Sequence, residues 1–529
     1  MITRPTIQEL FDGVVRNLEG AAQPGTVSGA GSAAGSDVHT LITPLLGVMD
    51  RLSNEWSNWS ALLIEDNEDI RHTLKDLGVA VPKAQGDVSR VLASGNAAQA
   101  IEQIEAENRA LKQALVESIE SLDLPPIADA SPEQLAADSA ILELLRRTLH
   151  REARVRVLPA RVAPTSGNPS SASLSPDQLS ETLTRFLADA MPDAEALQIE
   201  QLQRLAGGAS REAWIFDVRW RERGAARFEC CILMREPAAS VLVSDSSADR
   251  IDGTRRTVEN EVRLVRAMRA AGLPVPDILW ADHRGQWLER PFSIARRLPG
   301  TADTSSVIGT SAAETLLDQF VDILSRIHAF DPAAIGVDFL GKPTVHTTAL
   351  EQITLFESNF RAQQLEAFPA AAYLIRWLKK HQPVATRISV VHGDYRLGNF
   401  LFEGDRIVAI LDWEQVHIGD PIEEIAFMYW SLWSLEPICP IEEFVRRYEA
   451  KTGTTVDRAA LAYYRVFIEL KMLVVLLTSL KSYYATPARQ LHYGMAQTNE
   501  MIRDSQLRAI EEFAHSGPTV AFDAYQKTS

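Results

Sequence analysis

Cysteine is nearly absent: Cys230, Cys231 and Cys439 are the three in 529 residues. Two are adjacent and none stands with histidines at metal-site spacing. That excludes a readable disulfide framework or a Cys/His metal site and suggests a reducing compartment, the cytoplasm. An excess of positive charge is also missing. Lys and Arg number 53 against 70 Asp and Glu, a net charge of −17. A general nucleic-acid binder needs a basic surface to neutralise phosphates, so no nucleic-acid partner is expected. Long apolar runs are lacking as well. The longest, Met472–Leu480 (MLVVLLTSL), is bounded by Lys471 and Lys481 and is too short to cross a bilayer. It reads as a buried core helix, and no membrane partner is expected. The opening MITRPTIQELF lacks the basic-then-apolar order of a secretory signal.

What is present divides the chain. Residues 1–155 read as helical. Ile42, Leu45, Met49, Leu52, Trp56, Trp59 and Leu63 recur at spacings of three and four, which forms one helical stripe. Ile101, Ile104, Leu111, Leu115, Ile119 and Leu122 form a second, with Asn108 in a core-facing slot. Ser131-Pro132 opens a third helix carrying Leu135, Leu142, Leu145 and Leu149. With a short helix near 6–18 this predicts an all-α helical bundle of unassigned role, which could serve as a homodimer contact. Residues 20–36 are Gly/Ala/Ser-rich and read as a loop. Residues 156–175, rich in Pro, Ser and Gly, read as a linker.

From 176 to 515 the texture is strands with one helix, then mostly helices. Trp214–Trp220 alternates, and Phe228–Met234 is a short apolar run. A helix is predicted near 257–271, and strands at Ile278–Asp282 and Phe292–Arg296. The fold class is therefore α+β. One island, SVVHGDYRLGNFLFEGDRIVAILDWEQVHIGDP, places Asp394, Asn399 and Asp412 on loops and strand ends around one locus. Phosphoryl transfer needs a carboxylate to orient a hydroxyl and oxygen ligands to hold Mg²⁺ against a triphosphate. Asp394 is the candidate catalytic base, and Asn399 and Asp412 are the candidate metal ligands.

His392-Gly393-Asp394 through Asn399, then Ile410-Leu411-Asp412-Trp413-Glu414, resembles the signature of the aminoglycoside phosphotransferase and choline kinase superfamily. The likeness is greatest to phosphotransferase-like domains related to those fused to acyl-CoA dehydrogenases. It implies a two-lobed protein-kinase-like fold, with a small lobe near 176–298 and a large lobe near 299–515, preceded by the bundle and followed by a 516–529 tail. It implies ATP and Mg²⁺ as cofactors and a small-molecule hydroxyl as acceptor. It also implies that Gly207, Gly208 and Ser210 form the turn over the phosphates, and that Arg235 holds the phosphates. Glu261, or its rival Glu259, would be the ion-pair partner of Arg235. Phe292–Gly300 would be the hinge against which adenine binds, His328 would be a structural helix-end residue, and His392 would brace the loop. Gly419-Asp420-Pro421 continues the likeness, but Glu424 stands where the family usually has Asp. No Ala-Pro-Glu motif follows Asp412, which sets the chain apart from protein kinases. The mildly basic count over Leu461–Gln490 (Arg465, Lys471, Lys481 and Arg489 against Glu469) favours an uncharged or anionic acceptor, and the resemblance to domains fused to acyl-CoA dehydrogenases implies a hydroxyacyl thioester. The competing reading is a non-catalytic nucleotide-binding regulator that works through the bundle.

Overall fold

The computed structural model describes residues 61–82, 97–122, 131–153, 175–205, 211–236, 257–304, 309–485, 501–502 and 504–513. The expected helix near 6–18, the loop at 20–36, most of the first stripe, the linker at 156–174, the tail and the turn residues Gly207, Gly208 and Ser210 lie outside them. The described residues fall into two compact units that do not follow chain order. One gathers residues from 61–165, 353–382 and 469–513, and the other from 166–352 and 383–468.

In the first unit, helices α1 (Ala97–Ser121) and α2 (Pro132–Ala153) join a helical stretch over 61–76. The stripe expected of α1 is buried at Ile104, Leu111, Leu115 and Ile119. Asn108, fully buried among them, donates from Nδ2 to Asn67 Oδ1 at 2.8 Å, and Asn67 Nδ2 donates to the Ile104 carbonyl at 3.2 Å. A polar residue thus fills an apolar slot because it finds a partner there. On α2 the inward set is Ile141, Leu144, Leu145 and Leu149, whereas Leu135 is exposed.

The second unit begins with α3 (Pro176–Ala190). Ser175 accepts from Gln178 N while the Gln178 side chain accepts from Ser175 N, a reciprocal cap with Pro at the first helical position. Five antiparallel strands follow: β1 (Ala194–Arg204), β2 (Glu212–Glu222), β3 (Ala225–Arg235), β4 (Ile278–Asp282) and β5 (Phe292–Arg296), in spatial order β1-β2-β3-β5-β4. Leu179, Leu183, Phe186 and Leu187 of α3 meet Trp214, Phe216, Val218, Leu233 and Ile294 of the sheet in one core. Helix α4 (Val258–Ala270), capped by Thr257, packs on β4 and β5.

Helix α5 (Ala313–Ala329) is followed by α6 (Thr348–Gln363) and α7 (Pro369–Lys380); α6 straddles the boundary between the units and α7 belongs to the first. The island that carries Asp394, Asn399 and Asp412 comes next. Strand β6 (Ser389–Val391) pairs with β9 (His417–Gly419), and β7 (Phe400–Glu403) pairs with β8 (Arg406–Ile410). Helices α8 (Pro421–Met428), α9 (Ile441–Thr452) and α10 (Arg458–Ala485) follow, with α10 also crossing the boundary. No helix among the described residues is long and apolar enough to cross a membrane.

Candidate active site

The island is held by hydrogen bonds that the sequence only hints at. Gly393, at φ +82°, follows the end of β6 by two residues, and a Cβ there would meet the Gln415 carbonyl at 2.3 Å. Only glycine fits both constraints. The fully buried Glu424 carboxylate accepts from His392 N at 2.6 Å and Gly393 N at 2.9 Å. These bonds and the nearby histidines keep the Glu424 carboxyl below its ordinary value, although burial opposes them. Glu424 is therefore the clamp of the loop, which the departure from the usual Asp had left open. His392 accepts from Asp394 N at Nδ1 (3.2 Å), and its Nε2 faces the Leu411 carbonyl at 2.9 Å, which fixes the tautomer protonated at Nε2. It braces two loops. His328, fully buried, pairs with the Tyr448 hydroxyl at 2.8 Å; burial lowers its pKa and holds it neutral.

Asp394, Asn399 and Asp412 come together. Asn399 Nδ2 donates to Asp394 Oδ2 at 2.7 Å and to the Asp394 carbonyl at 2.8 Å. That orients the amide so that its Oδ1 is the atom available to a cation. Asp394 Oδ1 accepts from Arg396 Nε at 3.0 Å, and the Arg396 guanidinium lies over the Trp433 ring at 5.0 Å. Asp412 sits two residues beyond the end of β8 with φ +61°, a left-handed conformation that non-glycine residues adopt at a cost of about 1–3 kcal/mol. Burial pushes its carboxyl up to about 8, and the charges of Glu414 and Asp394 push the same way while Arg211 opposes them. A buried carboxylate crowded by other carboxylates fits a seat for a divalent cation, whose charge would reverse that penalty. No group of three or more His, Cys, Asp or Glu able to hold a metal occurs among the described residues. A Mg²⁺ shared with a triphosphate needs only one or two protein oxygens, and the Asn399–Asp412 pair meets that.

The expected pair of Arg235 with Glu261 is replaced by two others. The antiparallel register of β2 and β3 sets Glu212 opposite Arg235. Both Arg235 Nε (3.0 Å) and Nη2 go to Glu212 Oε2, with both side chains about 4% exposed. Glu261 on α4 pairs with Arg211 instead, and Glu259 faces solvent. Cross-strand adjacency explains the exchange, because Glu212 stands directly opposite Arg235 in the sheet. Arg211, Arg396 and the clamping role of Glu424 were not legible in the sequence. Arg211 directly follows the glycine-rich turn and Arg396 lies inside the catalytic string, but neither position signals its partner.

The profile of the phosphotransferase enzyme family matches residues 173–464, more than half of the chain. Acyl-CoA dehydrogenase family member 10 of Mus musculus is 30% identical over 201 residues, 37% of this chain and 18% of that protein. Acyl-CoA dehydrogenase family member 11 of Pongo abelii is 26% identical over 269 residues, 46% of this chain and 32% of that one. The chain thus spans about a third or less of these curated relatives. Among solved structures, the GDP complex of aminoglycoside 2′-phosphotransferase-IIIa superposes with a TM-score of 0.41 at 17% identity, covering 62% of this chain and 99% of that one. This match begins just before α3, runs into α10 and takes in the whole sheet and the whole 389–421 island, and so the chain belongs to the phosphotransferase enzyme family.

Proposed function

We propose that the chain transfers the terminal phosphoryl group of ATP to a hydroxyl of a small molecule. The observation that carries this reading is the convergence of Asp394, Asn399 and the strained Asp412 on one point, with Asn399 tied to Asp394 at 2.7 Å. Asp394 orients the acceptor hydroxyl and takes its proton as the new O–P bond forms and the bond to the ADP oxygen breaks. Asn399 Oδ1 and Asp412 would hold Mg²⁺, which when bound supplies charge neutralisation for the triphosphate. Arg396 fixes the Asp394 carboxylate plane.

The acceptor is an uncharged or anionic hydroxylated metabolite, with a hydroxyacyl thioester the leading class. The kinship with acyl-CoA dehydrogenase family proteins supports the thioester. The helix bases invoked from sequence lend little weight: Arg465 is exposed, Lys471 is buried in the other unit, and Arg489 and the Lys481 side chain lie outside the described residues. Arg396 is the better support. Its guanidinium, about 30% exposed beside Asp394, disfavours an ammonium group next to the reacting hydroxyl. The test is phosphate transfer from ATP to a panel of hydroxyacyl thioesters, hydroxy acids and aminoglycosides. Transfer to a thioester or acid is expected, and Asp394→Asn should lower it about 10²–10⁴-fold while the fold persists. Aminoglycosides as the sole acceptors would remove the acceptor assignment, and an Asp394→Asn protein of full activity would remove the catalytic one.

A further inference from the structure

We infer that Arg211, rather than Arg235, is the cation that grips the nucleotide phosphates, positioned by its ion pair with Glu261. The inference rests on the kinase reading above and names a residue that neither the motifs nor the resemblance pointed to.

Arg211 is the last residue of the connection between β1 and β2, which Leu205 N closes by donating to the Ala213 carbonyl at 2.9 Å. In the sequence, Gly207 and Gly208 stand four and three residues before Arg211. Its guanidinium contacts Glu261 on α4, and it is about 14% exposed. The charges of Glu414 and Asp412 also bear on it. Four acids bear on this corner, Glu261, Glu414, Asp412 and Asp394; Arg211 pairs with the first and feels the charges of Glu414 and Asp412. An arginine anchored by one acid from a helix, and within the electrostatic reach of Asp412, has the arrangement a phosphate clamp requires.

Arg235 lacks that freedom. Two of its nitrogens are spent on one oxygen of Glu212, whose other oxygen lies 3.8 Å from Arg290. Turning Arg235 toward a ligand would strip a buried carboxylate of its principal partner, a costly exchange. The Arg235–Glu212 pair is thus a fixed strut between β2 and β3, and Arg211–Glu261 is the pair that a nucleotide can engage.

The test is equilibrium binding of ATP and ADP, with and without Mg²⁺, to the full chain and its variants, alongside thermal unfolding and the KM for each substrate. Arg211→Met should weaken ATP binding about tenfold or more and raise the KM for ATP in step. The acceptor KM should stay within about twofold, and Arg211→Lys should recover part of the loss. Glu261→Gln should weaken ATP binding less, and the double variant should lose no more than Arg211→Met alone. Unchanged ATP affinity in Arg211→Met, or in Arg211→Lys and Glu261→Gln should the first fail to fold, overturns the inference. So does a larger loss of affinity in folded Arg235→Met. A wild-type chain that binds no nucleotide at all would instead overturn the kinase reading itself, and this assignment with it.

Discussion

Single carboxylates carry opposite burdens in this molecule. Asp420 caps α8, accepting from Ile422 N at 3.0 Å, yet it is almost fully buried beside Glu423, and its pKa is pushed up to about 7. A folded-state pKa above the unfolded value near 4 means that the native state binds the extra proton between those limits. Stability is then highest below about pH 4 for this group and falls as pH rises towards 7. Asp420→Asn keeps a cap acceptor without the charge. It should raise the unfolding midpoint by a few degrees at pH 8 and have little effect below pH 4, as thermal scans across that range would show. Glu424 behaves in the reverse sense. Its pKa is depressed, so its contribution is present above about pH 4.5 and is lost as acid protonates it. Glu424→Asp, one methylene shorter, should fail to reach both His392 N and Gly393 N and cost about 1–3 kcal/mol in denaturant unfolding. Retention of full stability would show that the loop shifts to follow the shorter side chain.

At the scale of elements, legibility followed periodicity and stopped where pairing broke it. The strands at Ile278–Asp282 and Phe292–Arg296 and the helix α4 lie where alternation, Gly272 and the capping Thr257 place them. Strand β1 was invisible because none of its residues is buried and two irregularities interrupt its register with β2, with positive φ at Ala196 and Gln201. A polar edge strand that bulges twice loses the period of two by which a strand is recognised. In the site, the acids and the amide were legible because chemistry restricts them to a short string. Their partners were not, because the Arg235–Glu212 pair depends on sheet register and the Arg211–Glu261 pair on the approach of a helix. Helix α3 offers a simple check on local reasoning. Ser175→Ala removes one half of its reciprocal cap and should destabilise the second unit by about 0.5–2 kcal/mol, measurable in urea unfolding.

At the scale of the whole molecule, the first unit is assembled from distant stretches of chain. Helix α1 packs on α7, and Arg376 of α7 donates to the Ile119 carbonyl at 3.1 Å. Asp138 of α2 accepts from Tyr373 at 3.1 Å, and Phe513 stacks edge-on against Tyr373 and Trp377. Glu511 accepts from Arg146 at 3.0 Å and meets His150 at 2.9 Å. Helices α1 and α2 therefore do not detach as a free appendage. A chain beginning at residue 166 would uncover apolar faces of α7 and of 504–513, each large side chain forfeiting about 1.5–3 kcal/mol. It should elute as aggregates in gel filtration and bind a hydrophobic dye, whereas a monodisperse, dye-silent product would show that these helices find other cover.

The same threading imposes an order on biosynthesis. Helices α1 and α2 emerge from the ribosome some two hundred residues before α7 and more than three hundred before Phe513. At translation speeds of about 5–20 residues per second, their apolar stripes wait on the order of tens of seconds for the segments that cover them. The nascent chain is thus a candidate client for holding chaperones during that interval.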